Sequence, residues 1–334
     1  MRAIKAGTVA LAVALAATLA MTGCSAEGGA ATPPGSSSAP NAKVNIAYVA
    51  YNGTAATLLG VKEGIFKKAG VDVTGQVAAS PAAIIAGLVN GELNIGFTTI
   101  ITLVAAVEKG IPIKCIASAD GVGNPDPSLH NNGLVVSGDS PIKSADELNG
   151  KKVGVLALGS LNHLVATDII AQAGGDPTTV DFVQLPFPQV ADALAKHQVD
   201  GAIITEPFTT PLLAAGARGL GWAEAPGGLM SDRTTKCYAA TTDYIAKNPK
   251  VVEAFVKGQN ASLTYAQEHQ KDALATLHEI LSITPEQAAG LKTGVIFRPG
   301  IKTEDVEYIQ DLMLKYKWIT KSLPVTDYLY EPAK

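Results

Sequence analysis

Three short turns carry residue types that can hold a small polar molecule. Tyr51-Asn52-Gly53-Thr54 follows an apolar run at 44–49, Thr98-Thr99 follows one at 94–97, and Gly159-Ser160-Leu161-Asn162 follows one at 152–156. Each turn leads into a helical pattern. The first N–H groups of a helix have no partner within it and lie at the positive end of its dipole. Serine and threonine hydroxyls donate to an oxygen, and glycine allows close backbone approach. Such turns can hold a sulfonate, carboxylate or nitrate without any arginine. Taken singly, Thr54, Thr99 and Ser160 read equally well as helix N-caps.

Two further candidates follow strand-like runs. Glu206 comes after the run at 201–204, where it could pair with an amine or accept from a ring N–H. It could equally be a carboxylate that simply favours a helix N-terminus. Phe187 lies between Pro186 and Pro188 and could stack on a planar ligand or pack between elements. Tyr51 has the same two uses. Arginine is scarce: Arg2, Arg218, Arg233 and Arg298, none of them in the three turns. Arg233 could reach a cleft or be a solvated residue near a crossover.

Catalytic constellations are weak. There is no Gly-x-Ser-x-Gly elbow. Ser160 and His163 are three apart and could meet on one helical turn, but no third group orients them. GVGN (121–124) is a fragment of a dinucleotide fingerprint without its helix. Three cysteines and five histidines lie far apart, without metal-ligand spacing, so neither a metal nor a cofactor is expected.

The elements that must position these turns alternate. From residue 43 onward, strand-like runs at 44–49, 71–77, 94–97 and 113–119 alternate with helical patterns at 55–68, 81–90 and 100–109. A loop of Gly, Asn, Asp and Pro spans 120–132, then a strand is expected at 133–137. Ser144 with Glu147, and Thr284 with Gln287, read as capping boxes. A second series has strands at 152–156, 181–184 and 201–204, with helices at 161–173, 190–196 and 207–215. A strand at 237–242 most simply returns to the first unit, and helical patterns fill the rest. This alternation predicts an α/β fold of parallel sheets with helices on both faces and a cleft between two units.

Composition agrees. Hydrophobic residues make up 47% and charged residues 17%, enough apolar material for a core, which excludes a disordered chain. With 26 basic against 30 acidic residues and no long Lys/Arg run, nucleic acid is not an expected partner. The start of the chain has Arg2 and Lys5, then an apolar stretch at 7–21, too short to span a bilayer and typical of a signal peptide. Met21-Thr22-Gly23-Cys24 resembles the lipobox of bacterial lipoproteins. That resemblance implies cleavage before Cys24 and lipid attachment to its sulfur. Residues 25–41, rich in Gly, Ala, Ser and Pro, read as a flexible tether.

Longer stretches carry a family resemblance. LLGVKEGIFKKAGVDV (58–73), LVNGELNIGFTT (88–99), EKGIPIKCIAS (108–118), ADELNGKKVGVLALGS (145–160) and LPFPQVADALAKHQVDGAIITEPF (185–208) appear in order. They resemble the nitrate/sulfonate/taurine substrate-binding proteins of ABC importers, a family that also holds binders of thiamine pyrimidine precursors. The resemblance implies a two-lobed periplasmic-binding-protein-like fold of type II with two crossover strands and C-terminal helices packed on the first lobe. It implies a signal peptide at 1–23, a lipidated cysteine and tether at 24–42, lobe 1 at 43–138 plus 231–334, and lobe 2 at 139–230. A small organic ligand, sulfonate- or taurine-like or a related anion, would sit in the interlobe cleft. The expected ligand set is Tyr51, Asn52, Gly53, Thr54, Thr98, Thr99, Ser160, Leu161, Asn162, Phe187 and Glu206. A receptor for an aromatic or pyrimidine precursor is the alternative. An enzyme on the same fold, such as a desulfinase or pyrimidine synthase, is the alternative of another class. The implied partners are an ABC permease and its ATPase, with the receptor a monomer on the outer face of the cell membrane. In such a fold the strands of Cys115 and Cys237 could be neighbours, bonded as a disulfide or left as free buried thiols.

Overall fold

The computed structural model describes residues 41–124, 126, 129, 131–206, 208–291 and 295–331. The leader at 1–23 and Cys24 lie outside these residues. Ordered pairing begins at Ala42, which pairs with Val71.

Two five-stranded sheets organise the chain, and both belong to one unit that runs from Asn41 onward. The first has the order β2-β1-β3-β11-β4. Its strands are β1 (Ala42–Tyr48), β2 (Val71–Val77), β3 (Ile95–Thr99), β4 (Ile113–Ser118) and β11 (Lys236–Thr241). The second has the order β10-β6-β9-β7-β8. Its strands are β6 (Asn132–Val136), β7 (Lys152–Val155), β8 (Asp181–Gln184), β9 (Gly201–Thr205) and β10 (Arg218–Trp222). A small ribbon of β5 (Val122–Gly123) and β12 (Val295–Ile296) lies along the first crossover.

The helices between the strands are α1 (Ala55–Lys62), α2 (Ile65–Ala69), α3 (Pro81–Val89), α4 (Ile100–Glu108), α5 (Leu161–Gln172), α6 (Phe187–Ala195) and α7 (Thr209–Ala214). The tail holds α8 (Thr242–Lys247), α9 (Pro249–Glu268), α10 (Gln270–Ala275), α11 (His278–Leu281), α12 (Pro285–Ala289), α13 (Thr303–Lys315) and α14 (Val325–Tyr328). The α9 helix packs on α1, α2 and β4, while α13 and α14 pack on α4, so the tail covers the first sheet.

Several expectations are corrected. The sheets are mixed, not purely parallel: β11 runs antiparallel to both β3 and β4, and β6 runs antiparallel to β9 and β10. Strands that carry the chain between sheets enter from the opposite end, which reverses their direction. The run at 133–137, expected to close the first unit, is β6 and pairs inside the second sheet. The helix expected over 55–68 breaks, because Gly64 takes a left-handed conformation (φ 67°) and starts α2 anew. Ser144 does not form the capping box. Its hydroxyl goes to the Asp146 and Glu147 carboxylates, and the segment is a single 3-10 turn. Thr284 does form one, with Gln287 reaching back to its N–H at 2.8 Å.

Period-two alternation builds the second core. Val135, Ala202 and Ile204 face α6 and α7, while Leu134, Val136 and Ile203 join the α5 side. Under the first sheet, Phe66 stacks on Phe255 at 5.4 Å. Burying each such side chain contributes about 1.5–3 kcal/mol. A buried polar network crosses this core. The Gln259 amide donates to the carbonyls of Ser118 and Ala119 at 3.1 Å and accepts from Thr57 at 3.1 Å, and the Tyr238 hydroxyl donates to Thr57 at 2.9 Å. This network fixes the end of β4, from which the chain leaves the first sheet.

Candidate functional site

The ends of β1, β3 and β4, together with the start of β11, meet at one edge of the first sheet. In open α/β sheets this carboxyl edge is where ligands sit. Lys236 stands opposite Thr99 in the β11–β3 register. Its ammonium lies 2.8 Å from Asp120 Oδ2 and 5.3 Å from the centre of the Tyr51 ring. The pair is nearly dry, with side-chain exposures of 12% for Lys236 and 2% for Asp120. Tyr51 also packs on Phe97, ring centres 5.1 Å apart. Gly53 fits only because it has no Cβ: one there would lie 2.5 Å from both Asp120 Cβ and Tyr51 Cε2.

Both ends of the Asn52 amide, Nδ2 and Oδ1, are buried at this edge without a hydrogen-bond partner among the described residues. Asn52 is only 3% exposed. Burial, and then the neighbouring Asp120 carboxylate, push the Tyr51 phenol well above its ordinary range. The phenol is also a hydrogen-bond neighbour of the Asp120 carboxylate, which favours its neutral form further. Buried polar atoms are normally paired, and leaving one bare costs about 1–3 kcal/mol.

The threonines of this edge are already engaged. Thr54 donates to the Val49 carbonyl at 2.8 Å and does not cap α1, and Thr98 donates weakly to the Thr99 carbonyl at 3.3 Å. Thr99 caps α4, accepting from the Thr102 N–H at 3.2 Å.

The corresponding edge of the second sheet is wetter and self-satisfied. Ser160 caps α5, accepting from the His163 N–H at 3.3 Å, and donates to the Ala157 carbonyl at 2.6 Å. Leu161 is buried in the core, and Asn162 is half-buried. The half-buried Phe187 ring lies 5.9 Å from Phe208. The buried Glu206 carboxylate accepts from the Thr210 hydroxyl and, at 3.4 Å, from its N–H, which is the helix-start geometry. His163 packs against Phe182 and Trp318, at 4.3 and 4.6 Å. Its Nδ1 accepts from the Gly159 N–H at 3.0 Å, and burial lowers its pKa to about 4. The ring nitrogen is therefore spent on backbone, and no Ser160–His163 general-base pair forms.

The described arginines are committed elsewhere. Arg218 donates to the carbonyls of Ser140 and Ile142, Arg233 stacks on Tyr308 at 3.9 Å and donates to Gly228, and Arg298 pairs with Asp232 at 2.6 Å. Between the crossovers, buried Glu224 accepts from the Asn132 side chain at 2.6 Å and its N–H at 3.2 Å. Burial raises the Glu224 carboxyl above its ordinary value, with Asn132 and Lys236 opposing the rise. Cys115 and Cys237 do lie on neighbouring strands, but both are free thiols, fully buried. Burial pushes the Cys115 thiol well up. The β4–β11 register sets Cys115 opposite Ala239 and Cys237 opposite Ser118, and the two thiols are hydrogen-bond neighbours without being bonded as a disulfide. Among the described residues there is no cluster of His, Cys, Asp or Glu placed to hold a metal, and no helix long and apolar enough to cross a membrane.

Asp120 and Lys236 were absent from the expected site. The available signal was a lysine opening the strand that returns to the ligand edge. The ion pair itself spans 116 positions and leaves no local pattern.

Comparison with known proteins follows this geometry. A family model described as NMT1/THI5 like matches residues 52–273, well over half of the chain. The taurine-binding periplasmic protein of Escherichia coli is 27% identical over 200 residues, 57% of this chain and 56% of that protein. The 4-amino-5-hydroxymethyl-2-methylpyrimidine phosphate synthase of Schizosaccharomyces pombe is 21% identical over 244 residues, 68% of this chain and 65% of that one. The chain thus spans less than two thirds of the length of either relative. Among solved structures, the periplasmic aliphatic sulphonate binding protein of Escherichia coli superposes with a TM-score of 0.70 at 18% identity, covering 89% of this chain and 94% of that one. The periplasmic nitrate-binding protein of Synechocystis gives 0.65 at 14% identity, covering 85% and 84%. The fold is therefore the type II periplasmic-binding-protein fold.

Proposed function

Since the chain belongs to the NMT1/THI5-like family, we propose that it is the extracytoplasmic solute receptor of an ABC importer. It captures a small organic ligand, sulfonate- or taurine-like or a related anion, between the edges of its two sheets. One observation carries this reading: the buried Asn52 amide, without a partner at either end, at the first sheet's carboxyl edge. Closure by hinge motion at the two crossovers would bring Ser160, Phe187 and Glu206 toward that edge. The lobes would divide as 43–138 with 231–334 against 139–230, amended by the placement of β6 in the second sheet. A permease and ATPase would receive the ligand.

On this reading the receptor is a monomer, and the leader and the Cys24 lipobox support its lipid anchoring to the outer face of the cell membrane. Mass spectrometry of the mature N-terminus tests this: a diacylated Cys24 is expected, and an unmodified cysteine would end the anchoring reading.

Binding is tested by thermal unfolding with taurine, alkanesulfonates, nitrate, aromatic acids and pyrimidines. A ligand at about 100 times its dissociation constant adds about 2.7 kcal/mol, a rise of several degrees. Silence across the panel, with no small molecule released on denaturation, would overturn the receptor reading. The synthase relative keeps one rival in view. Chemical conversion of a bound molecule by the purified protein would favour it.

A further inference from the structure

We infer that Trp318, in the tail of the chain, is a positioning residue for the Gly159–Ser160 turn of the second sheet, and that it acts through His163. What the turn is for rests on the receptor reading above, in which it closes over the ligand. The contact itself stands on its own geometry.

The tail is built to present this ring. The α13 helix ends in a Schellman turn: the Lys317 N–H donates to the Leu314 carbonyl at 3.0 Å, and the Trp318 N–H to the Met313 carbonyl at 2.7 Å. Lys317 takes the left-handed conformation (φ 59°) that this turn requires. The next residues fasten the turn to the first sheet's layer. Ile319 is buried, and Thr320 donates through its N–H and its hydroxyl to the Glu108 carboxylate at the end of α4, at 2.5 and 2.8 Å. Trp318 stands between these anchors, and its ring centre lies 4.6 Å from that of His163 on α5.

His163 links that ring to the turn. Its Nδ1 accepts from the Gly159 N–H at 3.0 Å, which requires the neutral imidazole with its proton on Nε2. Its own N–H donates to the Ser160 hydroxyl oxygen at 3.3 Å. Phe182 of β8 meets the imidazole edge-on at 4.3 Å, so a ring from each sheet's layer fixes its orientation. A Cβ at Gly159 would meet nothing within 4 Å, so the turn has little packing of its own. A second contact joins the same two helices. Further along α5, Gln172 donates to the buried Asp168 carboxylate at 2.6 Å and to the Gly227 carbonyl at 3.2 Å. Arg233 donates to the Gly228 carbonyl at 3.0 Å and stacks on Tyr308 of α13 at 3.9 Å. The two helices therefore grip one stretch, 227–233, and meet again where His163 near the start of α5 touches Trp318 just past the end of α13.

Hydrogen exchange of the full chain, read by mass spectrometry, tests the contact without a ligand. In Trp318→Ala the segment 157–163 should exchange roughly two- to tenfold faster, one aromatic pair expressed as an opening constant, while β7 keeps its wild-type rate. Trp318→Phe keeps a ring and should restore most of the protection. Acceleration confined to 313–323 and α4, or equal acceleration in the alanine and phenylalanine variants, would overturn the inference. Should Trp318→Ala not fold, Trp318→Leu takes its place. Emission gives a second reading. Trp222 and Trp318 are the two tryptophans of the chain, so in Trp222→Phe the fluorescence reports Trp318 alone. Adding His163→Ala should shift it to longer wavelength, and an unshifted spectrum would overturn the contact. Taurine is the probe of what the turn does. It should dissociate roughly two- to tenfold faster from Trp318→Ala and at the wild-type rate from Trp318→Phe. Equal dissociation from all three would overturn the positioning role. If the wild type binds no taurine, exchange and emission decide the inference by themselves, and the binding panel decides the receptor reading.

Discussion

The two sheet edges that face the proposed ligand are built differently. The first edge is dry. It holds a buried ion pair, a tyrosine ring and an asparagine whose amide is unpartnered. The second edge is half-exposed, and its polar groups are consumed locally: Ser160 by a cap, Glu206 by Thr210, His163 by Gly159. Hydroxyls that cap helices make α4 and α5 start where they do. They do not by themselves make a binding site. Under the proposed function, recognition falls to the first edge and covering to the second.

The comparison can be broken most severely at Lys236. Lys236→Met leaves Asp120 buried and unpaired, so urea unfolding should show a loss of about 3–5 kcal/mol. A loss under 1 kcal/mol would make this edge as wet as the other. Gly53→Ala forces a methyl against Asp120 and Tyr51, and about 1–3 kcal/mol should go in the same assay. Ligand affinity should fall with it if the first edge recognises the ligand. Ser160→Ala removes only a cap, costing about 1 kcal/mol with little change in affinity. A large affinity loss there would move recognition to the second edge.

The smallest effect at neutral pH is that of His163. Its folded pKa, about 4, lies below the unfolded value of 6.5, so the fold favours the neutral ring. The stability from this term is complete above about pH 6.5 and is lost as pH falls toward 4. Melting curves of wild type and His163→Gln should run in parallel above pH 7 and converge as the buffer is acidified. Curves that stay parallel to pH 4 would show that the ring is solvated.

Much of this was legible along the chain. The strands at 71–77 and 181–184 fall where alternation put them, and Thr284 with Gln287 forms the expected capping box. The Ser144 box failed although its letters fit, because nearby carboxylates took the hydroxyl. The strand β10 was missed: its Gly-rich run, RGLGW, has no strong strand pattern and pairs only because β6 offers an edge. Of the expected site residues, Tyr51, Asn52 and Gly53 lie beside the ion pair, and Thr98–Thr99 end the adjacent strand. Ser160, Leu161, Asn162, Phe187 and Glu206 belong to the second sheet's turns.

By itself the sequence determined the class of fold, the order of elements and the turns at strand ends, because periodicity, caps and glycine breaks are local. The tertiary structure alone decided which of those turns is dry, that Asp120 meets Lys236, that the two cysteine thiols meet as free neighbours, and that Asn52 is left without a partner. These depend on contacts between residues far apart in the chain, and burial turns such contacts into energies that composition and spacing cannot convey.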